Sequence, residues 1–161
     1  MTVNLLFGLP FSDSSACNKV LSDFFDLDGS HIVCGGTTAQ YVAKFLHKSV
    51  KIGLHYENPD IPPMAQIEGV DLVTEGIVTM TAVYEKFVSE ANADCLQEQT
   101  QDGASLVYKA LCEASAVKFF VCKEKNPANR DFPFLKSKVE IVQAMAANLR
   151  KLGKNVEVRF V

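Results

Sequence analysis

The feature that most limits what this chain can become is an alternation of short apolar runs with single stretches of helical spacing. Residues 3–7, 31–34, 50–54, 70–73 and 117–122 are brief and rich in Val, Ile, Leu and Phe. They are too short for helices and read as buried strands. Between them, apolar residues recur every three or four positions, as in Ala16, Val20, Leu21 and Phe24, or Ala39, Val42, Ala43 and Leu46. A strand can return parallel to its predecessor only through a crossover, and a helix supplies one. The expectation is therefore α/β: a single-domain layered α/β/α fold over residues 1–161, with a mostly parallel, Rossmann-like sheet.

The punctuation agrees. Ser12 and Asp13 offer N-caps to the first helix, and Asp28-Gly29 turns the chain into the second strand. Pro59, Pro62 and Pro63 forbid regular structure across 57–63. The spacing then predicts a helix over 79–92, a mobile connection over 94–103, and a helix carrying Leu106, Val107, Ala110 and Leu111. After a long loop over 123–135 comes the clearest helix, 137–152, with Val142, Met145, Ala146, Leu149 and Leu152 on one face and Gly153 closing it. Last, Val156, Val158 and Phe160 alternate with Glu157 and Arg159, the pattern of an edge strand with one solvated face.

With 48% hydrophobic and 22% charged residues, the chain can build a full core. A net charge of −3 without any Lys/Arg cluster argues against a nucleic-acid partner. The five cysteines, at 17, 34, 95, 112 and 122, are odd in number and form no C-x-x-C pair. That usage fits reduced thiols in the cytoplasm, not a disulfide framework or a zinc site. No apolar run approaches 18 residues, so no membrane partner is expected. The first strand starts directly after Met1, as in a domain belonging to a longer protein.

The chemistry concentrates in two islands. Val33-Cys34-Gly35-Gly36-Thr37-Thr38-Ala39 ends a strand in two glycines and two threonines just where a helix begins. Free N–H groups, hydroxyls and the positive end of a helix then share one place, which suits a phosphate. The second island, residues 67–76, ends a strand in Thr74-Glu75-Gly76. In an open parallel sheet, the turns after strands share the carboxyl edge. Gly8-Leu9-Pro10, the 35–38 loop, Thr74-Glu75-Gly76 and residues 126–130 are thus expected along one edge. A site there combines phosphate donors with an acid, Asp71 or Glu75, and a cation, Arg130.

Each candidate also has a purely structural role open to it. Thr37 and Thr38 either bind phosphate or cap the helix. Asp71 is either a buried, paired acid or an exposed strand carboxylate. Glu75 ligates a metal, takes a ribose hydroxyl, or caps the following helix. Arg130 clamps an anion or lies solvated. Cys34 is a thiolate activated at a helix N-terminus or a small buried hydrophobe. His31, His47 and His55 lack metal-ligand spacing, and no Walker A, G-x-S-x-G or H-E-x-x-H motif is present. No metal site and no cofactor can be named.

Taken together, these residues resemble a known domain. Cys34-Gly35-Gly36-Thr37-Thr38-Ala39, Ile61-Pro62-Pro63 and the run from Ile67 to Thr79 resemble the C-terminal domain of the bacterial stage II sporulation protein E-like, metal-dependent serine/threonine phosphatase family. The likeness continues through Asp102-Gly103-Ala104-Ser105-Leu106, Phe119-Phe120-Val121, Asn126-Pro127-Ala128 and Lys151-Leu152-Gly153-Lys154. Asn129-Arg130 departs from it, standing where a His-Gln-like continuation is expected. The resemblance implies a companion to an N-terminal phosphatase domain, which holds the paired metal ions. Here only Asp28-Gly29 and Asp102-Gly103 occur and no Gly-Asp-Asp exists, so the phosphatase metal-site motifs are absent from this chain.

The leading expectation is a regulatory, ligand-binding domain that takes a phosphorylated small molecule or nucleotide through Gly35, Gly36, Thr37 and Thr38, with Asp71, Thr74, Glu75, Gly76 and Asn126 nearby. The alternatives are a small enzyme on a phosphorylated metabolite, with Asp71 or Glu75 as acid/base, and a dimerisation module using residues 155–161 as an edge.

Overall fold

The computed structural model describes residues 1–54, 56–89, 101–124 and 136–161. Asn126, Arg130, His55, Cys95 and most of the 94–103 connection lie outside the described residues.

The chain runs β1 (Thr2–Phe7), α1 (Ser14–Phe25), β2 (Ser30–Cys34), α2 (Gly36–Leu46), β3 (Lys51–Ile52), β4 (Ala65–Gln66), β5 (Leu72–Thr74), α3 (Ile77–Val88), α4 (Gly103–Glu113), β6 (Ala116–Val121), α5 (Lys138–Lys151) and β7 (Asn155–Phe160). Among the described residues, one seven-stranded sheet has the order β3-β4-β5-β2-β1-β6-β7. The segment from β5 to β7 is parallel throughout, and β3 and β4 add an antiparallel margin beyond β5. The fold is α/β and Rossmann-like: the chain winds outward from β1 through β2 to β5, then crosses back to β6 and β7.

That reversal decides where the helices go. A crossover of constant hand puts its helix on one face when the chain moves one way and on the other face when it moves back. Accordingly α1 and α2 pack with Leu6, Val33, Val73 and Phe120 on one side. The helices α3, α4 and α5 pack with Val3, Leu5, Phe7, Ile32, Val117 and Phe119 on the other. Neighbouring residues of β1 thus feed opposite cores, which is why Val3, Leu5, Leu6 and Phe7 are all apolar and buried. Caps follow the sequence: the carboxylate of Asp13 accepts from the Ala16 N–H, and the hydroxyl of Ser137 accepts from the Glu140 N–H, both at 3.1 Å.

Several expectations change. Only residues 51–52 of the 50–54 run form a strand, because Gly53 donates to Met64 O and the chain turns back through the proline segment as a hairpin. The carboxyl end of the 94–103 connection is anchored: Asp102 is buried and its carboxylate accepts from both the N–H and the hydroxyl of Ser105, each at 2.9 Å. Cys17, Cys34 and Cys122 are free and buried, but Cys112 is disulfide-bonded, which corrects the expectation of uniformly reduced thiols. Pairing requires closeness in space, and C-x-x-C spacing is only one way to reach it. Among the described residues, no helix is long and apolar enough to cross a membrane.

Candidate functional site

The two glycine islands meet at the carboxyl edge of β2 and β5. Cys34 is in register with Thr74, and the Gly35 N–H continues the ladder by donating to Thr74 O at 2.9 Å. Gly35 then leaves the strand at φ +126°, a conformation L side chains rarely adopt. A Cβ on Gly76 would lie 3.2 Å from the Gly35 Cα. The two turns are therefore in backbone contact, and the N-termini of α2 and α3 open side by side. Neither Gly35 nor Gly76 provides a side-chain cap. Gly36 faces open space, Thr37 is exposed and Thr38 is buried beside Gly35. Among the described residues, the first N–H groups of α2 are thus free of side-chain capping at an accessible surface.

The α3 N-terminus differs. Glu75 turns its carboxylate onto the Thr79 N–H at 2.9 Å, so it takes the capping role among its three options. Thr74 donates its hydroxyl to Glu75 O at 2.8 Å and fixes that turn. An incoming anion thus meets an occupied helix end at α3 and an open one at α2.

Asp71 is not part of this cluster. It precedes β5, and its carboxylate accepts from the His31 N–H at 2.7 Å while its own N–H donates to His31 O. His31 lies near the start of β2, three residues before Cys34. Asp71 is exposed at the amino edge, about 13 Å from the 35–38 loop by strand rise. It clamps β5 onto β2, and a ligand at that loop would not reach it.

The third loop, Gly8-Leu9-Pro10, follows β1 on the same edge as expected, but faces β6. A Cβ on Gly8 would meet Lys138 Cε at 3.0 Å and Cys122 Cβ at 3.2 Å. Between β1 and β6 the winding direction reverses, the place where ligands of open α/β sheets bind. Lys138 donates to Glu124 O at 2.6 Å, the Ser12 hydroxyl donates to the Glu124 carboxylate at 3.3 Å, and burial pulls the Lys138 pKa down. Sequence reasoning passed over this group. Its signal was Lys138 at the first position of a helix, where a cation opposes the dipole and needs another reason to be there.

Cys34 takes the bland option. It is fully buried, and burial pushes its thiol up to about 12 against a hydrogen bond with Thr74 that favours ionisation. Burial also raises Cys17 and Cys122. The folded protein is therefore expected to resist iodoacetamide at Cys34 at pH 8, while unfolded chain reacts; mass spectrometry of the labelled peptide checks this. The linkage sign is also set. The unfolded thiol ionises above about pH 8.5 while the folded one stays neutral, so stability falls above that pH by roughly 1 kcal/mol per unit.

A cleft of about 1050 Å³ lies elsewhere, between the β3–β4 margin and the end of α2, and includes His47, Lys48, Glu68 and Asp71. Among the described residues, no group of three or more His, Cys, Asp or Glu side chains is placed to hold a metal. Compared with known proteins, the chain matches no family model, no curated protein and no solved structure.

Proposed function

We propose that this chain is a regulatory, ligand-binding α/β domain that holds the phosphate of a small molecule or nucleotide at the 35–38 loop. One observation carries the reading: among the described residues no side chain caps the open α2 N-terminus, which is held in backbone contact with the start of α3. The open N-terminus of α2 favours a negative charge, and glycine lets a ligand approach the backbone closely. The sequence resemblance supports the same role, that of a companion to a phosphatase domain elsewhere in the protein.

A binding role is favoured over catalysis by the acids. Asp71 sits at the other edge of the sheet, and Glu75 is engaged as a cap. Hydrogen bonds to a charged phosphate contribute roughly 1.5–3 kcal/mol each before ordering costs. With no lysine in the loop, affinity on the order of micromolar or weaker is expected.

The test is a thermal-shift series with inorganic phosphate, sugar phosphates and nucleotides on wild type and Gly36→Val. Gly36 has no positive φ and nothing within 4 Å of an added Cβ, so the variant keeps its fold while its side chain covers the helix end. The expected result is a raised midpoint in wild type only. An equal shift in both proteins puts the ligand elsewhere, and no shift with any phosphorylated compound leaves the glycines a purely structural role.

A further inference from the structure

A different part of the molecule, independent of the ligand site, carries a second inference. β7 ends the sheet, and among the described residues no further strand pairs with its outer side. Its six residues form a parallel ladder with β6, in which Asn155 N–H donates to Ser115 O. Val161, just past the strand, donates likewise to Val121 O. Backbone groups alternate sides along a strand, so residues 155, 157, 159 and 161 point inward and Val156, Val158 and Phe160 point outward. The Arg150 guanidinium confirms the parity by donating to Val156 O from outside, at 3.0 Å.

We infer that β7 pairs antiparallel with β7 of a second copy of this chain, about a two-fold axis passing through Val158. Outward groups must meet outward groups, so the axis falls on a residue and never between two. An axis through Glu157 or Arg159 sets like charges face to face. An axis through Val158 sets Glu157 opposite the second copy's Arg159, and the reverse, at the closely spaced non-hydrogen-bonded pairs. It also sets Val156 opposite Phe160 and Val158 opposite its twin. The three outward pairs exchange two bonds each, about six hydrogen bonds in all.

The side chains are available for this. Glu157 and Arg159 keep 55% and 44% of their side-chain surface exposed, and their contact within one chain is long, at 3.8 Å. The Arg159 guanidinium lies over the Phe120 ring and 4.0 Å from Asp23, which holds it on the same face as Glu157. Phe160 is 42% exposed. On pairing, Arg150 releases Val156 O to the incoming Phe160 N–H.

The experiment is sedimentation equilibrium on the full chain from about 5 to 500 μM, run on wild type, Glu157→Arg, Arg159→Glu, the double swap, and an equimolar mixture of the two single variants, with circular dichroism to check each fold. Wild type is expected to dimerise, and each single variant to weaken dimerisation at least tenfold. The double swap restores it. The mixture forms a heterodimer, because all four facing charges are then opposite. A wild type that stays monomeric overturns the proposal. So do single variants that dimerise like wild type, or a mixture that fails to associate. None of these outcomes depends on whether phosphate binds at the 35–38 loop.

Discussion

Replacing Gly29 with alanine is expected to cost about 3 kcal/mol or more, lowering the melting midpoint by about 6–12 °C. Gly29 forms the turn between α1 and β2 at φ +107°, and a Cβ there would lie 2.3 Å from the backbone oxygen of Thr2. Two penalties coincide. The conformation is strained for any L side chain, and the obstacle is backbone in β1, which pairs with β2 and β6 and cannot swing aside. Calorimetry on Gly29→Ala beside Gly36→Ala separates the effects, since Gly36 has neither a positive φ nor a neighbour in the way. A midpoint within about 2 °C of wild type for Gly29→Ala would mean that β1 yields.

Asn4→Asp is expected to be the more damaging change, by roughly 3–5 kcal/mol at neutral pH. Asn4 is completely buried in β1, and its amide donates to Asp28 O at 2.9 Å and Ser30 O at 3.2 Å, straddling the Gly29 turn. The replacement has nearly the same shape but turns two donors into a carboxylate facing two carbonyl oxygens. Burial and repulsion raise the folded pKa of that carboxyl above its unfolded value of about 3.9. The penalty is therefore smallest below that pH, where both states are protonated, and grows as pH rises toward the folded pKa. Denaturant titrations at pH 4.5 and 7.5 should show the gap to wild type narrowing at the lower pH. A gap independent of pH would show that lost hydrogen bonds, not charge, cause the damage.

Much of the architecture was legible because burial on one or both faces leaves a periodic trace. In α5, Val142, Met145, Ala146 and Leu149 recur at helical spacing because each reaches the same core. In β7, alternation survives because Val156 and Val158 pack against that core while Glu157 and Arg159 do not. Elements of two residues leave no period, so β4 (Ala65–Gln66) was invisible beside its prolines. The fate of Asp71 was hidden for another reason. Its distance from Gly35 depends on where β5 starts in register with β2, and a shift of two residues, from 70 to 72, moves its side chain off the strand to the amino edge. The meeting of Gly35 and Gly76 could be anticipated from strand–turn–helix punctuation. The switch point between β1 and β6 could not, because strand order is a property of pairing and no single segment encodes it.

The two margins of the sheet differ in length, and this bears on how far self-association can go. One margin offers the six residues of β7, the other only the two of β3. Two-fold pairing through β7 would consume the long margin of both copies, and the short one offers too few backbone groups to recruit a third. The assembly would then close on itself at two chains, and growth into a ribbon or fibre would be foreclosed by geometry, with Lys51 on the short margin opposing it further.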